Sequence, residues 1–233
     1  LARSLQSTVE YYHSFGTTLE RQALIKARPC AGNLELGNEL LERVAGWVYR
    51  KYLSAEEIGQ IQDLKRHIEK RTDDRAETFA DIKTGFGGIR DIEFVTQFLQ
   101  LLNAGRMPEL RERATLAALK ALAIHGVMKP AEADELAESY RFLRNVEHRL
   151  QLWEAAQTHT LPDTPGELGR VARAMGYGPR DAARALMREL RLHAMKSRGL
   201  MVRLFAGLFR AHESPAEPEL VLDPDLSLER ATQ

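Results

Sequence analysis

The chain has 233 residues, 44% of them apolar and 28% charged, with a formal net charge of +0. That length holds one sizeable domain, or one domain and the remnant of another. The charge balance argues against a strongly basic nucleic-acid binder or a polybasic membrane module, and the lone Cys30 excludes a disulfide framework and any zinc site built on several thiolates.

Helical patterning runs through most of the chain. Ser4 to Phe15 reads as a short helix ended by Gly16, and Thr17 or Thr18 as the cap of a second, Leu19 to about Arg28. Pro29 and Gly32 then break the chain. Asn33 caps a third helix whose Leu36, Leu40, Val44, Trp47 and Val48 share one face. Ser54-Ala55-Glu56-Glu57 is a capping-box pattern that opens a fourth, with Ile58, Ile61, Leu64 and Ile68 inside. Residues 72–79 are polar and read as a loop, and Phe79 to Lys83 is the only stretch resembling a short strand.

Asp81 to Gly88 is too rich in glycine to be a helix. One starts near Ile89 and runs to about Leu102, where Gly105 and Pro108 end it. Ala114 to His125 is a short helix closed by Gly126. Pro130 suits a first-turn position and opens a long helix to about Ala156, with Leu136, Tyr140, Leu143, Val146, Leu150 and Trp153 inside. Thr158 to Pro165 is a turn, Glu167 to Met175 a short helix, and Asp181 to Phe209 a long one. From Ala211 the chain turns proline- and acid-rich, as linkers are. Long helices joined by short loops predict an all-α antiparallel helical bundle with additional short helices.

The segment Asp81-Ile82-Lys83-Thr84-Gly85-Phe86-Gly87-Gly88-Ile89-Arg90-Asp91-Ile92-Glu93-Phe94 carries the most information. Gly85, Gly87 and Gly88 allow positive φ, and a helix start just after them offers free amide groups and a favourable dipole to an anion. Lys83 and Arg90 flank the loop. The segment therefore reads either as a phosphate contact or as a tight turn that lets the loop pack closely. It lacks the spacing of a Walker loop or a dinucleotide fingerprint. The helix is apolar over most of its circumference, which predicts burial and partners for the charges of its first turn. Asp91 and Glu93, two residues apart, do not face the same way, so they make a poor metal pair by themselves.

Arg21 and Arg28 share a helical face on which two cations could hold a phosphate chain, or which could simply be solvated. Arg144 and His148 share a face of the helix after Pro130, as do Glu147 and Gln151. No pair among the seven histidines has ligand spacing with a suitable carboxylate, so no His-built metal site is expected, and no Ser-His-Asp arrangement can be argued.

Several segments together resemble the glutamine-synthetase adenylyltransferase family. They are Tyr11-Tyr12-His13-Ser14-Phe15-Gly16, Leu19 to Arg28, Tyr49-Arg50-Lys51-Tyr52, Asp81-Ile82-Lys83, Gly87 to Phe94, Gln97 to Leu101, Tyr140 to Arg144, Glu147 to Gln151, and Gln157-Thr158-His159-Thr160-Leu161-Pro162. Order and spacing match over about residues 8–210. Leu19 departs from the pattern, since family members commonly carry Trp there.

The resemblance implies an enzyme that adds or removes AMP on a glutamine synthetase tyrosine. Its nucleotidyltransferase domain would carry metal-binding carboxylates, and a helical domain of the type shared with the uridylyltransferase of the PII signal protein would follow. Residues 1–30 would then be the tail of a truncated nucleotidyltransferase domain, 31–210 the helical domain and 211–233 a linker-like tail. The first residue is Leu1, not Met, which fits a piece of a longer polypeptide.

On this reading the carboxylate motifs lie outside the chain. No catalytic or metal-ligating residue is expected within it, and the fragment alone should be inactive. Glu20, Arg21, Lys26 and Arg28 would face the nucleotide cleft, and Lys83, Gly87, Gly88, Arg90, Asp91 and Glu93 would form the opposite wall. Mg2+ with ATP, ADP or phosphate are the implied cofactors of the parent. Glutamine synthetase and the PII signal protein are the implied partners, with neither nucleic acid nor membrane, in the cytoplasm. Arg90 and the Gln157–Pro162 segment look more like the AMP-removing half. The alternative is a non-catalytic helical module that binds glutamine synthetase or a PII-type regulator.

Overall fold

The computed structural model describes residues 3–51, 59, 80–154 and 157–213, with side chains up to 206 apart from those of 153 and 154. The expected helix opening at Ser54, the loop at 72–79, the side chain of Trp153 and the tail beyond 213 lie outside what is described. The chain divides into two compact units, Leu1–Met201 and Val202–Gln233.

The described residues are helical, as expected, and contain no strand; one isolated antiparallel bridge joins Asp81 to Thr160. In chain order the helices are α1 (Leu5–Phe15), α2 (Thr18–Leu24), α3 (Leu34–Val48), α4 (Ile89–Asn103), α5 (Thr115–Ile124), α6 (Pro130–Glu154), α7 (Pro165–Ala174) and α8 (Ala182–Glu213). A single 3-10 turn, Pro108–Leu110, lies between α4 and α5. Among the described residues no helix is long and apolar enough to cross a membrane.

Local chemistry sets four of the helix starts. The side chains of Ser4, Thr17, Asn33 and Thr164 each accept a backbone N–H of the first turn, satisfying amides the helix itself leaves unpaired. Thr17 and Glu20 complete a reciprocal capping box.

Two helix ends differ by about a turn from expectation: α8 runs on to Glu213 rather than ending at Phe209, and α2 stops at Leu24 rather than near Arg28. The amides of Ile25, Lys26 and Ala27 donate to carbonyls only three residues back, so the last turn tightens before Pro29, which cannot continue a helix. Lys26 therefore sits on a turn beyond α2, and Arg28 in the irregular stretch that follows.

The first unit packs around α4, which buries Ile92, Val95, Phe98, Leu99 and Leu101. The helix is covered nearly all round, as its composition predicts. Ile25, Val44, Trp47, Val48 and Leu101 form one cluster, with Tyr12 and Leu40 packed at its edge, so α2 and α3 dock on the far end of α4. α5 and α6 pack on each other and on α4, and α6 contributes Leu136, Leu143, Val146 and Leu150. The first part of α8 lies against the loop before α4 and against α6, through Ala194, His193 and Arg198.

Candidate functional site

The loop before α4 is tied at both ends by its own polar groups. The Asp81 carboxylate accepts the amides of Lys83 (3.0 Å) and Thr84 (2.8 Å) and the Thr84 hydroxyl. His159 Nε2 stands 3.6 Å away. Burial raises the Asp81 pKa, but the bonds from Thr84 and Lys83 and the charge of His159 outweigh it, and the carboxyl lies below its usual value. Ile82 N–H donates to the His159 carbonyl and Leu161 N–H to that of Ala80. Two segments singled out in the sequence, Asp81–Lys83 and Gln157–Pro162, thus meet along a short antiparallel pairing.

The start of α4 is not open to an anion through its backbone. Ile89 N–H donates to Ile82 O (3.1 Å), Arg90 N–H to Lys83 O (3.0 Å) and Asp91 N–H to Gly88 O (3.1 Å). Gly87 N–H donates to the Asp91 carboxylate at 3.0 Å. The amides that would cradle a phosphate are already engaged within the loop, so the glycines serve close packing. Gly87 has φ +64° and lies against the backbone of Ala194 on α8, while Gly88 lies against the carbonyls of Ile82 and Lys83. An anion here meets side chains.

Those side chains form a connected row. On α4, Arg90, Glu93 and Gln97 follow one another along one face. Gln97 accepts a bond from Gln22 Nε2 at 2.8 Å. Glu93 Oε1 accepts from Lys26 Nζ (3.2 Å) and from the Tyr140 hydroxyl (3.0 Å), and Lys26 also donates to Thr115 Oγ1 (2.9 Å). Burial first, with Glu93 adding to it, raises the Tyr140 phenol above its ordinary value. One turn along α6 the Arg144 guanidinium lies 5.9 Å from the Tyr140 ring centroid and donates to Glu147 Oε2 at 2.5 Å. Lys83 Nζ stands 3.6 Å from Glu147 Oε1. Lys26, Lys83 and Arg144 come from three separate stretches, joined by Glu93, Tyr140 and Glu147, and Arg90 lies one turn before Glu93 on α4.

Other expected site residues lie elsewhere. Arg21 is 4% exposed, its guanidinium 5.1 Å from the Trp47 ring centroid, and so is set apart from Arg28, which is exposed. Glu20 is engaged as the cap of α2 and accepts the Tyr11 hydroxyl at 2.9 Å. Its pKa is lowered by the Thr17 backbone, then by the Tyr11 and Thr17 hydroxyls. Asp91 is buried, with Arg198 Nη1 3.9 Å from its carboxylate. Gln100, further along α4, is buried and donates to the carbonyls of Leu110 and Glu112. The sequence reading left Tyr140, Arg144 and Glu147 outside the site; their signal was the Tyr140–Arg144 and Glu147–Gln151 segments, but nothing local links these to Lys83.

The arrangement suits phosphate oxygens. It does not suit a divalent cation: Asp81, Asp91, Glu93 and Glu147 are each bonded to amides or cations, and among the described residues no three metal-ligating side chains gather.

The family model described as GlnD PII-uridylyltransferase matches residues 58–205. The chain is 42% identical to the bifunctional glutamine synthetase adenylyltransferase/adenylyl-removing enzyme of Rhodopseudomonas palustris (strain TIE-1), over 89% of the chain and 21% of that protein. It is 45% identical to the protein of the same name from Bradyrhizobium diazoefficiens, over 82% and 20%. With that of Streptomyces avermitilis it shares 38% identity over 99% and 23%. The chain spans about a fifth of the length of these relatives.

Proposed function

The chain belongs to the GlnD PII-uridylyltransferase family, alongside the glutamine synthetase adenylyltransferases/adenylyl-removing enzymes it matches, and from that membership we propose that it is the helical part of an enzyme that transfers AMP to or from glutamine synthetase. In this reading the row Lys26, Lys83, Arg90 and Arg144 forms one wall of a nucleotide cleft. The observation that carries it is that Lys26, Lys83 and Arg144, from a turn, a rigid loop and a helix, are linked through Glu93, Tyr140 and Glu147, in a chain whose net charge is zero.

The AMP-removing direction is supported by Arg90 at the start of α4 and by the Gln157–Pro162 segment, which pairs with the loop before it. In that direction a phosphate oxygen attacks the phosphorus of the tyrosine-linked AMP. The bond from phosphorus to the tyrosine oxygen breaks, the tyrosine takes up a proton, and ADP leaves. The cations of this chain would bind and orient phosphate oxygens and stabilise the charge that gathers on them. Magnesium, when present with a nucleotide, would neutralise phosphate charge.

The test uses the full polypeptide in which this chain occurs, with adenylylated glutamine synthetase and phosphate as substrates. Arg90→Ala is expected to lower kcat/KM by roughly tenfold to a hundredfold, the worth of one charge-assisted hydrogen bond. Unchanged turnover and nucleotide affinity in single replacements of Lys83, Arg90 and Arg144 would overturn the wall assignment.

A second reading, a non-catalytic module that docks glutamine synthetase or a PII-type regulator, draws on a different place. Between α7 and α8 a groove of about 900 Å3 is lined by Leu168, Met187, Leu192 and Met195 beside Arg184 and Arg188, and Leu192 and Met195 are exposed. Leu192→Glu with Met195→Glu would abolish partner binding on this reading and leave nucleotide affinity unchanged.

A further inference from the structure

Glu147 sits on the inner face of α6, beside Val146 and one turn from Leu143 and Leu150, and its side chain is 2% exposed. A carboxylate so placed must be matched by charge or take up a proton. It is matched twice: Oε2 accepts from Arg144 Nη1 at 2.5 Å, and Oε1 faces Lys83 Nζ at 3.6 Å. One cation would balance it; the second is surplus. Both cations also keep more than a third of their side chains open, 41% for Lys83 and 37% for Arg144. Each has one flank on the buried carboxylate and the other toward solvent. Because they hold the two oxygens of one carboxylate, one ligand can touch both.

The frame around them is stiff. Lys83 N–H is held by Asp81 and Lys83 O by Arg90 N–H. The loop is pressed on α8 at Gly87, and Arg144 is braced by the Tyr140 ring. Arg90, exposed, makes no ion pair with a carboxylate among the described residues. Two cations over one buried carboxylate leave a local excess of positive charge on a preorganised surface, which suits a compact, multiply charged anion.

We propose that Lys83 and Arg144 form a two-cation clamp for a single phosphoryl group, and that Glu147 is the positioning residue that holds both from beneath. The inference rests on the nucleotide-cleft reading and deepens it, by assigning this corner to a phosphoryl group rather than to base or ribose. The group is either free phosphate or the terminal phosphate of a nucleotide.

The 233-residue chain is titrated at low ionic strength with inorganic phosphate, with ADP and with adenosine, while the NMR signals of the Arg144 Nε–H and the Lys83–Arg90 amides are followed. Saturable shifts with phosphate and ADP support the clamp. Shifts with ADP alone also support it and assign it to the nucleotide. No saturable shift with either, or equal shifts with adenosine, overturns it. Lys83→Gln and Arg144→Gln are each expected to weaken binding about tenfold.

Glu147→Gln separates positioning from charge. It removes a negative charge, so electrostatics alone predicts tighter anion binding, whereas loss of positioning predicts weaker binding. Equal or tighter binding in a folded Glu147→Gln chain overturns the positioning role. If that variant does not fold, Glu147→Asp, which keeps the charge but draws it back, takes its place; unchanged affinity there has the same meaning.

In the full polypeptide, Lys83→Gln is expected to raise the KM for phosphate more than that for glutamine synthetase. AMP transfer with an unchanged phosphate KM overturns the clamp and leaves the cleft reading standing. Phosphate binding by the clamp in a polypeptide that transfers no AMP does the reverse.

Discussion

The backbone carbonyl of Ala194 on α8 occupies the space where a side chain at Gly87 would begin, so that a Cβ built there would lie 1.9 Å from its oxygen. Residue 87 also has φ +64°, so a side chain is opposed both by its own backbone and by its neighbour's. Gly87→Ala is expected to cost at least about 2 kcal/mol of stability. Gly126, with φ +71° and open space around it, isolates the conformational part: Gly126→Ala should cost about 1 kcal/mol. Urea unfolding of both variants checks this, and equal losses would show that the contact with α8 does not matter.

Asp81 should give stability that acid removes. Its folded pKa is lowered, because the bonds from Thr84 and Lys83 and the His159 charge outweigh its burial. The unfolded chain therefore binds this proton first as pH falls. The stabilisation is complete above the unfolded value of about 3.9 and is lost as pH falls through the lower folded value. Asp81→Asn should be less stable than wild type at pH 7, with the gap closing in acid. Unfolding free energies of the two chains between pH 2 and about pH 7 measure it, and a constant gap would sink the idea.

What the sequence made legible was set by short-range chemistry. Ser4, Thr17 and Asn33 cap where a polar residue before an apolar period should cap, and α4 is buried as its nearly complete apolar girth requires. The length of α2 was misread because its helical pattern runs on to Arg28, while Pro29 forces the preceding turn to tighten. The engaged amides at the start of α4 depend on the path of the loop, which the residue spacing leaves open. The link of Asp81 to Thr160 and of Lys83 to Glu147 joins residues far apart in the chain, and no local pattern encodes such a pair. The burial of Arg21 was not legible for the same reason: its cover is Trp47 on another helix.

His193 works in the opposite direction to a charged partner. Burial first of all lowers its pKa, with Lys196 helping and Glu138 and Glu189 opposing. Its ring stacks on Phe142 at 4.4 Å between centroids, Nδ1 stands 3.0 Å from the buried Ser139 Oγ, and Nε2 is 4.0 Å from Glu189. The unfolded chain takes up the proton at about pH 6.5 and the folded chain only at lower pH, so stability falls as pH drops through that window. His193→Asn should lose this part of the slope. Identical pH dependence in variant and wild type between about pH 7.5 and pH 5 would refute it.

The Lys26–Glu93 pair separates stability from function. Its side chains are 37% and 28% exposed, and a pair that wet contributes at most about 1 kcal/mol to folding. Lys26 also keeps Thr115 as a second acceptor, and Tyr140 approaches the same Glu93 oxygen. Glu93→Gln should therefore unfold within about 1 kcal/mol of wild type. It removes the charge that fixes Lys26 on the row, so nucleotide affinity in the full polypeptide should fall severalfold. Tyr140→Phe, which deletes one bond to Glu93 and leaves the Lys26 pair intact, should have the smaller effect on affinity. Comparing the two by calorimetric binding and thermal unfolding distinguishes a residue that orients a cation from one that merely fills a helix contact. A large stability loss with unchanged affinity in Glu93→Gln would assign it the second role.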